Sequence, residues 1–318
     1  MNDSPAPDVE RLRPKLLAVA YRMLGTVADA EDAVQDAFLR YQQHAAGIES
    51  PEGWLVRTTT RLCIDRLRQA RREEYVGQWL PEPVAGSWGG AAADRAELAE
   101  SLSMAFLVLL EALNPTERAA YLLREVFGYE FDEIAGLLDK TPVNVRQIAA
   151  RAKKRLGAGE RRFEPPAGAA DELAGRFFAA CRTGDMRAIE ALLAPDAVLV
   201  SDGGGKVFAA RRPVVGARKI ANLLAVVFRK YLRACTVTPT TVNGAPGAVF
   251  ALGPQVVEVI TFEPRGDAVG TVYVVLNPDK LNRWPSPSAG DAPSDRPGTW
   301  EKTDATATEL READPGAA

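Results

Sequence analysis

Between Tyr129 and Leu156 the sequence reads YEFDEIAGLLDKTPVNVRQIAARAKKRL, a pattern that few folds accommodate. Phe131, Ile134, Ala135 and Leu138 recur at helical spacing and predict one apolar helix face. Asp139-Lys140 predicts a tight turn. Thr141 follows as an N-cap, with Pro142 at the first helical position, where its missing N–H does no harm. In the second helix Val145, Ile148, Ala149, Ala152 and Leu156 face inward, which leaves Asn144, Arg146, Gln147, Arg151, Lys153 and Lys154 on outward or flanking positions. The early amides suit base edges and the later cations suit phosphates. The pattern predicts a helix-turn-helix with a recognition helix near 142–155. A helical hairpin with a solvated basic face is the competing reading.

The 318 residues allow two or three domains and a sizeable core. With a net charge of −3, no global basic field advertises nucleic acid. The basic charge is local: Arg57, Arg61, Arg66, Arg68, Arg71 and Arg72 form one cluster, and residues 146–162 carry another. Two basic patches on an acidic chain imply two DNA contacts and a separate partner that is not DNA. Cys63, Cys181 and Cys235 are far apart, no CxxC occurs, and His44 is the only histidine, so no disulfide framework, metal site or cofactor is expected. The sequence shows no signal peptide and no run long enough to span a bilayer, and the expected location is the cytoplasm.

A first helix is expected over residues 9–23, and Thr26 caps a second that runs to about residue 43. Its buried face is Ala30, Ala33, Val34, Ala37, Phe38 and Tyr41. Asp32, Gln35, Asp36 and Leu39 lie opposite. They form either a solvated acidic face with a stray leucine or a docking surface for a basic partner. A long helix over 54–72 carries Arg57, Arg61, Arg66 and Arg68, and with Thr58, Thr59 and Thr60 it suits a DNA backbone or an unstacked strand. Residues 75–90, YVGQWLPEPVAGSWGG, read as a linker, yet tryptophans are out of place in a free tether and predict docking. A helix over 94–113 follows, and Asn114-Pro115-Thr116-Glu117 then predicts a capping box.

Beyond a Pro/Gly/Ala hinge at 164–170, helices are expected at 171–182, 185–193 and 216–231. Strands are expected at 197–200, 236–242, 248–252, 256–262 and 268–276, an α+β plan. From Trp284 onward Pro, Ser, Gly, Asp and Ala predict disorder. The expected domains are 9–75, a linker at 76–93, 94–160, 169–284, and a tail at 285–318.

DAEDAVQDAFLR at 29–40, the pattern WL-(x)9-D-x-LR at 54–68, and NPTER at 114–118 leading into the helix-turn-helix are ordered and spaced as in a known family. Over about residues 9–157 the chain resembles the bacterial extracytoplasmic-function sigma factors. One departure is Thr60-Arg61, where that family usually has Arg-Asn. WLPEP at 79–83, DGGGK at 202–206 and NPDKL at 277–281 together resemble the subgroup with a fused SnoaL-like C-terminal domain, which extends the resemblance to about residue 284.

The resemblance implies a multidomain chain with two all-α sigma domains, a region 2 helical bundle and a region 4 helix-turn-helix, plus an α+β SnoaL-like, nuclear-transport-factor-type cone. It implies that Asp32, Gln35, Asp36 and Leu39 bind the RNA polymerase core, whose clamp and flap are the family's docking regions. Arg57, Thr58, Arg61, Arg66 and Arg68 would meet the promoter −10 element, and the recognition-helix residues the −35 element. The C-terminal domain would act in cis in place of a separate anti-sigma factor, through Trp79, Leu80, Pro81, Asp202, Gly203, Gly204, Gly205, Lys206, Asn277, Pro278, Asp279 and Lys280. In this reading Asp202 and Lys206 pair with polar groups of the linker.

Other readings stay open at this point. DGGGK could cradle a phosphate, although it lacks the Walker spacing. SnoaL-like folds include enzymes with a cavity acid or base, and Asp202, Glu258 and Glu263 are the carboxylates nearest the expected strands. A cavity of this kind could also hold an unidentified small ligand. A helix-turn-helix repressor would bind DNA alone, usually as a dimer on a palindrome.

Overall fold

The computed structural model describes residues 9–45, 47–70, 75–85, 101–157 and 168–284. The expected tail and the first part of the helix placed at 94–113 lie outside these residues. The chain forms two compact units, one of residues 1–74 and 87–160, the other of residues 75–86 and 161–318. The linker segment is therefore grouped with the C-terminal domain.

In the first unit a short 3-10 turn leads into α1 (Arg13–Leu24), α2 (Val27–His44) and α3 (Pro51–Ala70). Gly25, at φ 75°, ends α1, and Thr26 caps α2 by accepting from the Asp29 N–H. The six residues expected on the inner face of α2 are all buried. They pack with Leu16, Val19, Tyr21 and Met23 of α1 and Leu55, Val56, Cys63 and Ile64 of α3. Thr59 and Thr60 belong to that core as well, with no exposed surface and no hydrogen-bond partner for either hydroxyl. This corrects the expectation that the threonine run addresses DNA: only Thr58 reaches the surface, half-buried. Helical spacing places 55, 56, 59, 60, 63 and 64 on one stripe, and the apolar majority carries the threonines inward with it.

α4 (Met104–Leu110) begins at the Ser103 cap, so its described part starts later than expected. α5 (Pro115–Tyr121) has the expected capping box: Asn114 accepts from the Thr116 and Glu117 N–H groups, and Glu117 accepts from the Asn114 N–H. A π-helical turn, Leu122–Val126, and Gly128 at φ 71° then lead to α6 (Phe131–Leu138) and α7 (Pro142–Arg155). Ile134, Ala135 and Leu137 are the buried residues of α6, and Leu138 is only half-buried. α3 packs on α5 and α6. Arg118 spans the same core, donating to the Met23 carbonyl at 2.8 Å and pairing with Glu111 at 2.7 Å.

The second unit contains α8 (Ala169–Thr183), α9 (Met186–Leu192), β1 (Leu193–Asp202), β2 (Val214–Val215), α10 (Ala217–Val227), β3 (Thr236–Val242), β4 (Ala245–Leu252), β5 (Gln255–Arg265), β6 (Ala268–Val275) and α11 (Pro278–Leu281). The sheet order is β2-β1-β6-β5-β4-β3, with β1 parallel to β6 and the other pairs antiparallel. The two-residue strand β2 carries no sequence periodicity and was not expected. Register shifts at Leu193/Val198, Phe250/Ala251 and Glu263/Pro264 are the bulges that curl a sheet around helices. Within the curl, the rings of Phe177 and Phe178 pack at a tilt against Phe262, and Phe228 meets Phe250 edge-on at 5.3 Å.

Glu258 lies on the same strand face as Ile260 and Phe262, and is 2% exposed. Burial pushes its carboxyl up to about 8, and one of its oxygens has no hydrogen-bond partner. The group therefore keeps its proton in the folded chain and gives it up in the unfolded chain between pH 4.5 and about 8. Stability falls as pH rises through this window, by up to about 1.4 kcal/mol per unit. Glu258→Gln should abolish the slope: urea unfolding of the full chain from about pH 5 to about pH 8 should show the wild type losing ground to the variant. Parallel curves would mean that Glu258 ionises within the fold at no cost.

Candidate functional site

The expected linker-holding residues come together around the carboxylate of Asp202, at the end of β1. Asp202 has no exposed surface. Its Oδ1 accepts from the Tyr75 hydroxyl at 2.6 Å and the Gly204 N–H at 2.9 Å. Its Oδ2 accepts from the Leu80 N–H at 2.9 Å and the Lys280 ammonium at 2.7 Å. An ionised carboxylate has about four acceptor positions, and these four donors occupy them. The Asp202 carbonyl also accepts from the Leu276 and Asn277 N–H groups, so the end of β1 is tied to the loop that leaves β6.

Lys280, 6% exposed, is the countercharge. Its ammonium also donates to the Leu80 carbonyl and lies 4.4 Å from the Trp79 ring centroid and 5.2 Å from that of Tyr75. The linker thus supplies two aromatic faces, a carbonyl and an N–H to one buried ion pair. Cation–π contacts gain strength when desolvated, to about 2 kcal/mol or more. Leu80 has no exposed surface, and Pro81, Glu82, Pro83 and Val84 are buried after it.

The glycines of DGGGK allow the chain segments to approach. Gly204 and Gly205 have φ of 60° and 69°. A side chain at Gly204 would strike Asn277, and one at Gly205 would meet Val76. Lys206 is not paired with the linker as expected: its ammonium sits 2.6 Å from the carboxylate of Asp279. Asn277 caps α11 by accepting from the Asp279 N–H at 3.1 Å and donates to the Tyr75 hydroxyl at 3.0 Å. Burial, with the Asp202 carboxylate second, raises the pKa of the Tyr75 phenol, which stays protonated as a donor.

Sequence reasoning missed two residues. Tyr75 lies outside the WLPEP motif. Asn243, buried at φ 52° in the β3–β4 turn, accepts from the Val84 N–H through its side chain at 3.0 Å and donates its own N–H to the Val84 carbonyl at 2.9 Å. Ala85 then pairs with Val242 as an antiparallel bridge. The Asn243-Gly244 dipeptide was a visible turn signal, but nothing in it names a partner 159 residues away.

In the helical unit, Asn144, Arg146, Gln147, Arg151, Lys153 and Lys154 are all exposed on α7. Arg146 stacks over Phe131 at 5.4 Å, and Lys153 pairs with Glu125 at 2.9 Å. On α2, Asp32, Gln35 and Leu39 are exposed, Leu39 to 47%. Asp36 instead pairs with Arg66 at 3.0 Å, so residues expected to serve polymerase and DNA meet each other. Arg68 pairs with Asp65. Arg57 and Arg61 both pair with Asp139, the left-handed residue of the helix-turn-helix turn.

Residues 9–73 match the family Sigma-70 region 2, and residues 103–156 match Sigma-70, region 4. The chain is 36% identical over 291 residues to the ECF RNA polymerase sigma factor SigJ of Mycobacterium tuberculosis, covering 87% of this chain and 93% of that one. The crystal structure of SigJ superposes with a TM-score of 0.69 at 33% identity, covering 86% of this chain and 97% of that chain.

The Asp202–Lys280 pair makes a specific prediction. Removing one partner of a buried pair costs about 3–5 kcal/mol because the other charge is left behind. Asp202→Asn and Lys280→Met should each destabilise the C-terminal unit on that scale and expose residues 75–85 to protease. The double variant should be less damaged than the sum, since contacting residues couple. Additive losses would show that the two charges do not depend on each other.

Proposed function

The chain belongs to the extracytoplasmic-function sigma factors, and on that premise we propose that its C-terminal domain controls promoter engagement in cis by gripping the linker. As a sigma factor the chain directs RNA polymerase core to promoters, with region 2 serving the −10 element and region 4 the −35 element. The observation that carries the proposal is the capture of Tyr75, Trp79 and Leu80 by Asp202 and Lys280. These linker residues stand in sequence between α3 and α4, and hence between the two DNA readers. A pinned tether permits fewer separations of what it joins than a free one. The grip is saturated, buried and stiffened by Pro81 and Pro83, so little further ordering is needed to maintain it.

In this reading the cone takes the place of a separate anti-sigma factor, and the protein works in the cytoplasm where polymerase acts. Asp32, Gln35 and Leu39 form the polymerase-facing surface, and α7 presents the −35 reader. The cone has a structural and regulatory task rather than a catalytic one. The acceptor positions of Asp202 are taken by the linker, Gly204 and Lys280, and Glu258 is held protonated by burial, with one oxygen that has no hydrogen-bond partner.

The Arg57 and Arg61 pairing to Asp139 adds a second element. Both arginines belong to the −10 set, and the helix-turn-helix carboxylate occupies them as a promoter phosphate would. The ions are exposed, so the contact is worth about 0–1 kcal/mol and exchanges readily for DNA.

Run-off transcription with reconstituted bacterial polymerase tests the main proposal. Trp79→Ala and Asp202→Asn should shift promoter output in the same direction, with hydrogen exchange confirming release of residues 75–85. Lys206→Ala should have a smaller effect, since Lys206 meets Asp279. Wild-type transcription from variants whose linker is demonstrably released would sink it. Asp139→Asn keeps a side chain that tolerates the left-handed conformation. It should tighten binding of a single-stranded −10 oligonucleotide by the free protein, by up to about fivefold. Unchanged affinity would show that the two arginines do not read that strand.

A further inference from the structure

The exposed face of α7 carries a residue that neither charge nor hydrogen bonding explains. Val143, in the first turn of the helix, is 61% exposed, the most of any large apolar side chain among the described residues. At about 100° per residue it points away from the middle of the buried stripe of Val145, Ile148, Ala149 and Ala152. Gln147, Ala150 and Lys154 share its side of the helix at steps of four, three and four, and Asn144 and Arg151 flank them. The outward face therefore runs from an apolar and amide-bearing N-terminal half to a cationic C-terminal half.

Helix propensity gives no reason for a valine here, since β-branched residues rank below alanine, lysine and glutamate in a solvated helix. Packing gives none either at that exposure. In a helix-turn-helix the N-terminal residues of the second helix meet base edges, and an apolar side chain there has one natural counterpart in the major groove, the thymine 5-methyl group. Resting on the assignment of α7 as the −35 reader, we propose that Val143 is a specificity-determining residue that contacts a thymine methyl in the −35 element, next to the base pair read by Gln147. Arg151 and Lys154 hold the register through phosphates, and Arg146, stacked on Phe131, steadies the face from the side.

The test uses the full chain with bacterial core polymerase. The −35 sequence is first selected from a randomised promoter library by wild type, Val143→Ala and Gln147→Ala. Each thymine of the wild-type sequence is then replaced by deoxyuridine, which lacks only the methyl. At one −35 thymine the wild-type holoenzyme should lose about fourfold in affinity, the factor expected for one methyl group removed from apolar contact. Val143→Ala should bind the thymine promoter about as weakly as the wild type binds the deoxyuridine one, and should not distinguish the two. Its exposed position means that folding is not at risk.

A selected −35 element without thymine, or a Val143→Ala holoenzyme that still discriminates at every thymine, overturns the inference. If Gln147→Ala changes the selected sequence and Val143→Ala does not, the inference about Val143 fails while α7 remains the reader. If neither changes it, the assignment of α7 fails and the inference falls with it.

Discussion

A buried carboxyl group either keeps its proton, as Glu258 does, or stays ionised and must find a countercharge and fill its acceptor positions. Asp202 meets this demand with donors from three places in the chain: the linker, its own glycine turn and the helix after the last strand. A hydrophobic linker alone could slide or dock in several registers. A carboxylate with directional partners fixes which residue sits where, and Lys280, enclosed by Trp79 and Tyr75, fixes the aromatic residues too. Asn243 makes the second attachment through paired bonds to Val84. The segment is thus held at both ends by hydrogen bonds, and Pro81, Glu82 and Pro83 between them are buried.

The sheet domain supplies the rigidity that such a clamp requires. Asp202 ends β1, Asn277 follows β6, and these two strands are parallel neighbours. Any displacement of the clamp has to disturb a ladder that also shapes the curled sheet. The interior of the curl is occupied by aromatic packing around Phe177, Phe178, Phe250 and Phe262, together with a protonated Glu258. At the end of β1 the polar groups of Asp202 are spent on holding a segment of the same chain.

The helical unit follows a different logic. Its structural contacts are buried, as with Arg118 on the Met23 carbonyl, while most of the cations and amides suited to DNA are on the surface. Several of these cations pair with nearby carboxylates. Exposed pairs of this kind are weak, so these residues can exchange partners at little cost.

The sequence by itself determined the parts governed by local rules. The Asn114 capping box, the Thr141 cap with Pro142, the apolar face of α2 and the turn at Asp139 follow from spacing and side-chain chemistry within a few residues, and each formed as expected. The motif trio WLPEP, DGGGK and NPDKL pointed to a joint site, and tryptophans in a tether pointed to docking. Only the tertiary structure decided which atoms meet. Lys280 reaches Asp202, while Lys206 pairs with Asp279 rather than with the linker; Tyr75 and Asn243 join the clamp; and Thr59 and Thr60 turn into the core. These outcomes rest on contacts between residues far apart in the chain, whose geometry is set by strand register and helix packing, and no local pattern encodes the distance between two lysines and one buried carboxylate.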